Sequence, residues 1–398
     1  MAWTRYLFTE KKIAAIQISS IILILLSFYM DEKFLFFTGS IAFLAITLNQ
    51  MYEKHAGEGL EVEMVRKRNR YFSGERGEWE MVFRNSGWPI LNGEVKVIFD
   101  NAVEPIQAGK TNGKTLNEVS VPFSIMKGES KKLSIPYITR KRGLSKIRRL
   151  ELSFPNLFGF GSTLLEYKHP LPQEALVYPK RMEVAGKKDI LTDRPGTQAA
   201  AFSLYEDLLS PAGTRDYSIR DGFKRIHWKA SARTGKLQTK LFDRVSEKGM
   251  VISLNVMEGH SSSPQFEELL ESAADLAYFA CSRNIPVSLC MNIRNVGDVP
   301  FYYVPPGEGR EQLQKIYELL ALASSDHATL PYERMISYME RHFHLMPTFI
   351  HGEGVTEQIY ANLGCMQKKG VALYHLQVME HYSMLTSFSH QPERRISS

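Results

Sequence analysis

The stretch that decides the fold begins at Val251-Ile252-Ser253-Leu254-Asn255-Val256. It continues through Phe266-Glu267-Glu268-Leu269-Leu270-Glu271-Ser272-Ala273-Ala274-Asp275-Leu276-Ala277-Tyr278-Phe279-Ala280-Cys281-Ser282 and closes with Ile285-Pro286-Val287-Ser288-Leu289-Cys290-Met291-Asn292-Ile293. The first and last pieces are short, nearly continuous apolar runs, as strands covered on both faces require. The middle piece puts Leu269, Leu270, Ala273, Leu276, Ala277 and Ala280 on one helical face. Strand, amphipathic helix and strand predict a β-α-β unit.

Toward the C-terminus the theme repeats. Helical periodicity covers 310–323, 331–343 and 355–367, and apolar strand runs cover 348–351 and 371–377. The expectation is an α/β domain over 248–380, with a parallel sheet covered on both faces, followed by a tail over 381–398. Upstream, 181–247 reads as a connector that opens with charge, Pro and Gly (179–196). Before it, 60–180 changes to alternating stretches such as Glu78-Trp79-Glu80-Met81-Val82-Phe83-Arg84, Glu94-Val95-Lys96-Val97-Ile98-Phe99 and Lys132-Leu133-Ser134-Ile135-Pro136-Tyr137. These are half-buried strands of period two, broken by turn residues at Asn85-Ser86-Gly87, Asn92-Gly93 and Lys127-Gly128. Short strands without a convincing helix predict a β-sandwich of immunoglobulin-like shape.

Residues 1–54 are different again. Two uncharged apolar runs, 13–30 and 34–52, are separated by Asp31-Glu32-Lys33. At about 1.5 Å per residue each is close to the ~30 Å hydrocarbon thickness of a bilayer. Asn49-Gln50-Met51-Tyr52 belongs at the interface. Arg5, Lys11 and Lys12 precede this transmembrane hairpin and Lys54 follows it, whereas the connecting loop holds Lys33. The bias predicts a two-span protein of the plasma membrane with both termini cytoplasmic. A cleaved signal peptide fits less well, because a second apolar run follows the first and no small-x-small site intervenes.

The chain has 398 residues, 44% hydrophobic and 23% charged, with 49 basic and 43 acidic side chains and a formal charge of +6. That composition excludes wholesale disorder and a small disulfide scaffold. The three cysteines, Cys281, Cys290 and Cys365, have no metal-ligand spacing and read as buried small hydrophobes. Charge is concentrated: residues 215–244 hold nine basic and three acidic side chains, a local excess equal to the +6 of the whole chain.

That segment contains the most specific pattern, Ala212-Gly213-Thr214-Arg215-Asp216-Tyr217-Ser218-Ile219-Arg220-Asp221-Gly222-Phe223-Lys224-Arg225-Ile226-His227-Trp228-Lys229-Ala230-Ser231-Ala232-Arg233-Thr234-Gly235. Asp221 suits an N-cap and Gly235 a helix terminator, which predicts a helix over 222–234. On it Phe223, Ile226 and Ala230 would share an apolar stripe, and Arg225, Lys229 and Arg233 would recur along another face. Arg215-Asp216-Tyr217, Asp221, Arg225-Ile226-His227-Trp228-Lys229 and Ala232-Arg233 resemble, in order and spacing, the hallmark string of the family known as domain of unknown function 58. Pro155-Asn156-Leu157-Phe158-Gly159 is similar to the family's Asp-Pro-Phe-Gly turn, and Val177-Tyr178-Pro179 follows it. Arg220 stands where the family usually has Gly. The resemblance extends over essentially the whole chain, hairpin included. It implies a bacterial membrane-anchored protein with a β-sandwich and a von Willebrand factor A-like domain of Rossmann type, accompanying MoxR-type AAA+ ATPases and other membrane proteins as an adaptor.

One departure from that picture is chemical. A-type domains hold Mg²⁺ through Asp-x-Ser-x-Ser after the first strand, but here Asn255, Met257 and Gly259 occupy those places. The carboxylate and both hydroxyls are gone, so a degenerate, metal-free loop and no cofactor are expected. His342, His344, His351 and His375 form a second conceivable ligand set, although His342 and His344 sit at a helix end where the dipole alone suits them. Gly352-Glu353-Gly354 lacks the third glycine of a phosphate cradle, since Glu357 occupies it. Residues 131–149 carry eight basic and no acidic side chains. They are candidates for anionic lipid contact or for a solvated strand face.

These readings predict a non-enzymatic scaffold whose partner-binding residues are Arg215, Asp216, Tyr217, Asp221, Arg225, His227, Trp228, Lys229 and Arg233. The partner class is a protein, an AAA+ ATPase, and not nucleic acid, because no reader fold is present. The rival expectation is a membrane-bound hydrolase or envelope-processing enzyme, with His227 oriented as a base by Asp216 or Asp221. It has no identifiable nucleophile.

Overall fold

The computed structural model describes residues 2–9, 12–106, 110–112, 116–159, 161–188, 190, 206–218, 226–244, 249–258, 261–343, 346–352, 354, 357–379 and 382–387. Two units divide the chain, Met1–Pro179 and Lys180–Ser398.

The first unit opens with β1 (Trp3–Thr9), α1 (Lys12–Met30), α2 (Lys33–His55), β2 (Leu60–Glu63), β3 (Lys67–Tyr71) and β4 (Arg76–Asn85). It continues with β5 (Ile90–Asp100), β6 (Val103–Pro105), β7 (Lys110–Asn112), β8 (Leu116–Ile125), β9 (Ser130–Thr139), β10 (Gly143–Pro155), β11 (Gly161–Tyr167) and β12 (Gln173–Val177). One sheet runs β1-β11-β10-β5-β8-β7, with β12 joined to β10 and β3 to β12; the other runs β2-β4-β9-β6. Burial alternates along β4 and β5, as the period-two reading expects. Trp79, Met81 and Phe83 of β4 meet Val95, Val97 and Phe99 of β5 in one core. Ring pairs join the two sheets there, Phe83 with Phe123 at 4.7 Å and Trp79 with Phe99 at 6.4 Å. Such pairs add to area burial, each by about 0.5–1.5 kcal/mol.

Both N-terminal helices are long and apolar enough to cross a membrane. Their large side chains stay exposed, Leu25 at 64%, Phe28 at 73% and Ile41 at 66%, which a core helix of a soluble domain would bury. Asp31 turns the chain between them with φ 54. The hairpin is spliced into the β-domain rather than placed before it, because β1 pairs antiparallel with β11, from Trp3↔Tyr167 to Thr9↔Gly161. Sequence reading overlooked β1, a short stretch beside a much stronger apolar run.

The last turn of α2 is held closely. Arg5 of β1 donates to the carbonyls of Glu53 (3.1 Å), Lys54 and Ala56 (2.7 Å), groups that a helix end leaves without intrahelical partners. The Glu53 side chain is buried and accepts from Asn49 Nδ2 (2.9 Å) and from Asn156 Nδ2, while Thr163 Oγ1 donates to Asn156 Oδ1 at 3.3 Å.

The second unit begins with β13 (Val184–Ala185), β14 (Glu206–Asp216), α3 (Trp228–Thr234), β15 (Gln238–Arg244), β16 (Met250–Leu254), β17 (Met257–Glu258) and β18 (Ser261–Ser262). Next come α4 (Phe266–Ser282), β19 (Val287–Arg294), β20 (Phe301–Gly307), α5 (Gly309–Leu322) and α6 (Tyr332–His342). β21 (Thr348–Gly352), α7 (Glu357–Lys368), β22 (Ala372–Val378) and β23 (Ser383–Ser387) complete it. The β-α-β unit is present as β16-α4-β19, whose strands pair in parallel. The seven-stranded sheet runs β13-β23-β22-β21-β16-β19-β20.

The expected all-parallel sheet is corrected at its flanks, where β20 lies antiparallel to β19 and β23 antiparallel to β22. Asn295 N bonds Pro300 O, and Met379 N bonds Tyr382 O, so each link is short. A parallel return needs a crossover of a dozen or more residues. Residues 383–387, read as part of a tail, therefore enter the sheet as β23. The connector also holds more structure than its composition suggested. β13 pairs with β23, and the buried Asp275 accepts from Val184 N (3.1 Å) and Lys187 Nζ (2.5 Å).

On the face covered by α6 and α7, a polar row crosses the central strands, because Cys290, Ser253, His351 and His375 are register neighbours. Tyr332 of α6 bonds Ser253 Oγ (2.7 Å) and His351 Nδ1 (2.8 Å), and the two imidazoles stack at 5.6 Å. Burial, helped by the neighbouring His375, pushes the His351 pKa down to about 3, and burial lowers His375 as well. A histidine buried neutral binds fewer protons folded than unfolded, so stability is full above its unfolded pKa and falls as pH drops from about 6.5 toward 3. Thermal melts of the full chain between pH 7 and pH 4 are expected to show an acid limb to which His351 contributes about 1.4 kcal/mol per pH unit. His351→Gln, which keeps an acceptor for Tyr332, should flatten that limb; an unchanged limb would exclude His351 as its source.

Candidate partner-binding site

The motif segment folds as a small hairpin with a helix laid on it. β14 and β15 pair antiparallel, with Arg215↔Thr239 and Asp216↔Gln238, and bulges fall where Pro211 and Gly213 interrupt the ladder. Ile226 bridges to Thr239 and is buried. His227 N then donates to Gln238 O at 2.7 Å, which holds 226–227 extended against β15.

This corrects the expected helix start. α3 begins at Trp228, and its N-cap is His227, whose Nδ1 accepts from Ala230 N at 3.1 Å, rather than Asp221. Asp221 and Arg225 lie with the rest of 219–225 outside the described residues. Ile226 is on the extended approach, so the stripe of Phe223, Ile226 and Ala230 does not run along one helix. Lys229 and Arg233 remain one turn apart on α3. Gly235 ends the helix with φ 69, and its N–H returns to Ser231 O, as expected of a terminator.

Hydroxyl and amide groups fasten α3 to β15. Ser231 Oγ donates to His227 O (3.0 Å) and accepts from Gln238 N (2.8 Å), and Gln238 Nε2 donates to Asp216 Oδ1 (2.5 Å). Tyr217 N continues the ladder to Leu237 O at 2.9 Å. Sequence reading had not singled out Ser231 and Gln238; a hydroxyl one turn into the helix, with an amide just past its terminator, was the available signal. With the inner side tied by polar bonds, Trp228, Lys229 and Arg233 face outward. Trp228 is 63% exposed, and among the described residues neither Lys229 nor Arg233 has an ion-pair partner. Arg215 is exposed on β14 and donates to Asp216 O at 3.2 Å.

The structure brings Asp216, Tyr217, His227 and Gln238 together but uses them internally. Asp216 bonds Gln238, and accepting at Nδ1 leaves the His227 proton on Nε2.

Elsewhere, the Asn255 amide is engaged by Asn292 Nδ2 (2.9 Å), Met257 N (3.3 Å) and Gly354 O (3.3 Å). Met257 opens the short β17–β18 ribbon, and Gly259 and Glu353 lie outside the described residues. His342 stacks on Tyr338 at 4.1 Å and its Nδ1 bonds Tyr338 O; His344 is outside the described residues. Burial pushes the Cys281 thiol up to about 11 and the Cys290 thiol up to about 12, so neither is a thiolate near neutrality.

Five of the eight cations of 131–149 lie beside carboxylates. Lys132 meets Glu80, Arg140 meets Glu104 (2.5 Å), Lys146 meets Glu174 (2.5 Å) and Arg148 meets Asp100 (2.7 Å). Arg149 meets Glu151 and Glu166. Exposed pairs of this kind contribute about 0–1 kcal/mol each.

An α/β unit carrying an exposed, helix-bearing hairpin is therefore the class to be placed. Residues 213–342 match the family described as "Protein of unknown function DUF58", the family that the Arg215 to Arg233 string resembles. No curated protein matches the chain. Among solved structures, the chain is similar to the CARDB domain of a Pyrococcus furiosus protein in complex with di-metal ions, at 14% identity, TM-score 0.17, over 30% of this chain and 84% of that one. It is also similar to the sporulation control protein Spo0M of Bacillus subtilis, at 13% identity, TM-score 0.16, over 30% of this chain and 49% of that one. A third is the ASH/PapD-like domain of human CEP192, at 14% identity, TM-score 0.16, over 30% of this chain and 84% of that one. At these scores none of the three bears on fold or function.

If His227 acts as a cap, His227→Ala costs roughly 1 kcal/mol locally and speeds amide hydrogen exchange at Ala230 and Ser231, whereas His227→Asn retains protection. Exchange equally fast in both variants would show that the cap does not hold the helix.

Proposed function

We propose that this protein is a membrane-anchored, non-enzymatic scaffold whose cytoplasmic α/β domain, of von Willebrand factor A-like type, recruits an AAA+ ATPase of the MoxR type. The observation that carries the reading is Trp228, 63% exposed beside Lys229 and Arg233 on a helix already fixed to its own hairpin. Trp and Arg are the side chains most enriched at interface hot spots, and an exposed Trp on a rigid support loses little entropy when covered. Arg215 on β14 extends the same basic surface.

Other features support the rest of the reading. The exposed apolar side chains of α1 and α2 suit a lipid environment. The basic bias of Arg5, Lys11, Lys12 and Lys54 favours cytoplasmic termini at the plasma membrane. The β-domain then serves as an immunoglobulin-like spacer. The parallel centre of the second sheet, flanked by α4 to α7, is what an A-like domain requires.

A photo-crosslinking side chain at position 228 should capture the ATPase in cells. Trp228→Ala is expected to weaken its retention by detergent-solubilised protein by about 2 kcal/mol, roughly thirtyfold. Lys229→Glu with Arg233→Glu should weaken it further and make the remainder insensitive to salt. Retention unchanged in the combined variant would overturn the proposal.

A further inference from the structure

The end of the β-domain that receives α1 and α2 is also where its loops expose apolar side chains, and strand register fixes the coincidence. Thr9, the last residue of β1, pairs with Gly161 at the start of β11, and Leu60, which opens β2 after α2, pairs with Asn85 at the end of β4. Ile90 and Ile125 face each other where β5 begins and β8 ends, and β10 ends at Pro155. Loops 86–89, 126–129 and 156–159 therefore leave the two sheets on the helix side.

Trp88 (38%), Leu91 (43%), Met126 (56%), Leu157 (46%) and Phe158 (48%) lie exposed in and beside these loops. Beyond α2, the other large apolar side chains exposed among the described residues of this unit are Val65, Phe72 and Ile106, so five of eight gather at one end. Phe8, the penultimate residue of β1, is 59% exposed beside them in register, opposite Ser162.

The loops are not loosely placed. Asn156, which opens the Leu157-Phe158 turn, bonds the side chain of Glu53 in the last turn of α2. Ala56 bridges to Trp88, the Tyr52 hydroxyl donates to Pro89 O (3.0 Å), and the Tyr52 and Trp88 rings meet at 6.3 Å. Asn85 Nδ2 reaches both Trp88 O (2.8 Å) and Met126 O (3.4 Å). Glu53 is four residues, about 6 Å along the helix, beyond Asn49, where the apolar run of α2 gives way to interfacial residues. A turn bonded at that height stands at the level of the lipid headgroups.

We infer that these loops form a collar that seats the β-domain in the bilayer interface, with Leu157 and Phe158 entering the headgroup and acyl boundary and Trp88 placed as an interfacial aromatic. The inference rests on the reading that α1 and α2 span the membrane, and it adds a third attachment beside the two spans. Interfacial Trp and Phe gain from removing apolar area from water while any polar edge stays wet, at roughly 25 cal/mol per Å² of apolar surface. A protein partner would need a surface shaped around two emerging helices, whereas a bilayer supplies an apolar layer there without further fitting.

The test uses the full chain, in a Cys365→Ser background because Cys281 and Cys290 are buried. Single cysteines replacing Phe158, Leu157 or Met126 are labelled with an environment-sensitive fluorophore in phosphatidylcholine–phosphatidylglycerol vesicles, with and without brominated acyl chains. Ile41→Cys in α2 reports on the spans. Lys141→Cys reports on the far end of β10, roughly 40 Å away at about 3.3 Å per residue. The expected result is loss of fluorescence in brominated vesicles at 41, 126, 157 and 158 and none at 141. Loss at 41 without loss at 157 and 158 overturns the collar and leaves the anchor standing. No loss at 41 overturns the anchor and the collar with it, and loss at 141 as well would mean that the whole domain lies on the lipid rather than a collar.

Discussion

An α-helix such as α2 ends with four carbonyls lacking intrahelical partners. In this protein that demand is met from strand β1, through the Arg5 guanidinium fork on the carbonyls of Glu53, Lys54 and Ala56. The same turn buries Glu53, and the bonds from Asn49 and Asn156 are what make a buried carboxylate tolerable. Because Arg5 precedes the hairpin and Asn156 closes β10, the cap is built from three distant parts of the chain. The consequence is mechanical: α2 cannot pivot on its last turn without breaking bonds to both edges of the loop cluster.

The hairpin at the start of the second unit solves a different problem by similar means. Seven residues make a helix too short to be stable alone. α3 buries none of its own side chains, so apolar packing cannot supply the deficit. Instead the His227 cap, the Ser231 relay and the left-handed Gly235 satisfy both ends, while the buried Ile226, just outside the helix, provides an apolar anchor. Trp228 stays 63% exposed on the helix so held. Its exposure follows from how the helix is held.

Periodicity made much of this architecture legible and connectivity did not. Strands β4 and β9 and helices α4, α5 and α6 fall within a residue or two of where alternation and amphipathic spacing put them, because each buries one face against a large core, whereas β5 begins at Ile90, ahead of the alternating run that opens at Glu94. β1 was invisible, since its pairing partner lies more than a hundred and fifty positions away and nothing local distinguishes Trp3–Thr9 from a leader to the apolar run. The antiparallel flanks of the second sheet were missed for the opposite reason. Their strands are ordinary, and only the shortness of the links at 295–300 and 379–382 dictates direction. At the site, Asp221 had the better intrinsic cap chemistry, yet the bridge from Ile226 to Thr239 decides where the helix can begin. A cross-strand bond outranks a local preference worth about 1 kcal/mol.

Two basic runs carried nearly the same signal in the sequence, and the structure separates them by geometry alone. Between 131 and 149 the cations lie on β9, β10 and the turn joining them, where Glu80 on β4, Asp100 on β5, Glu104 on β6, Glu166 on β11 and Glu174 on β12 come within reach. Adjacent strands stand about 4.8 Å apart, so a long cation reaches a carboxylate with little rearrangement and its field is largely cancelled at short range. On α3 no strand among the described residues lies opposite the outward face. Lys229 and Arg233 sit one turn apart on a short exposed cylinder, and their potential extends about a Debye length into solvent, ~8 Å at physiological salt. A local basic excess thus yields a largely paired sheet face in one place and an outward basic face around an aromatic in the other.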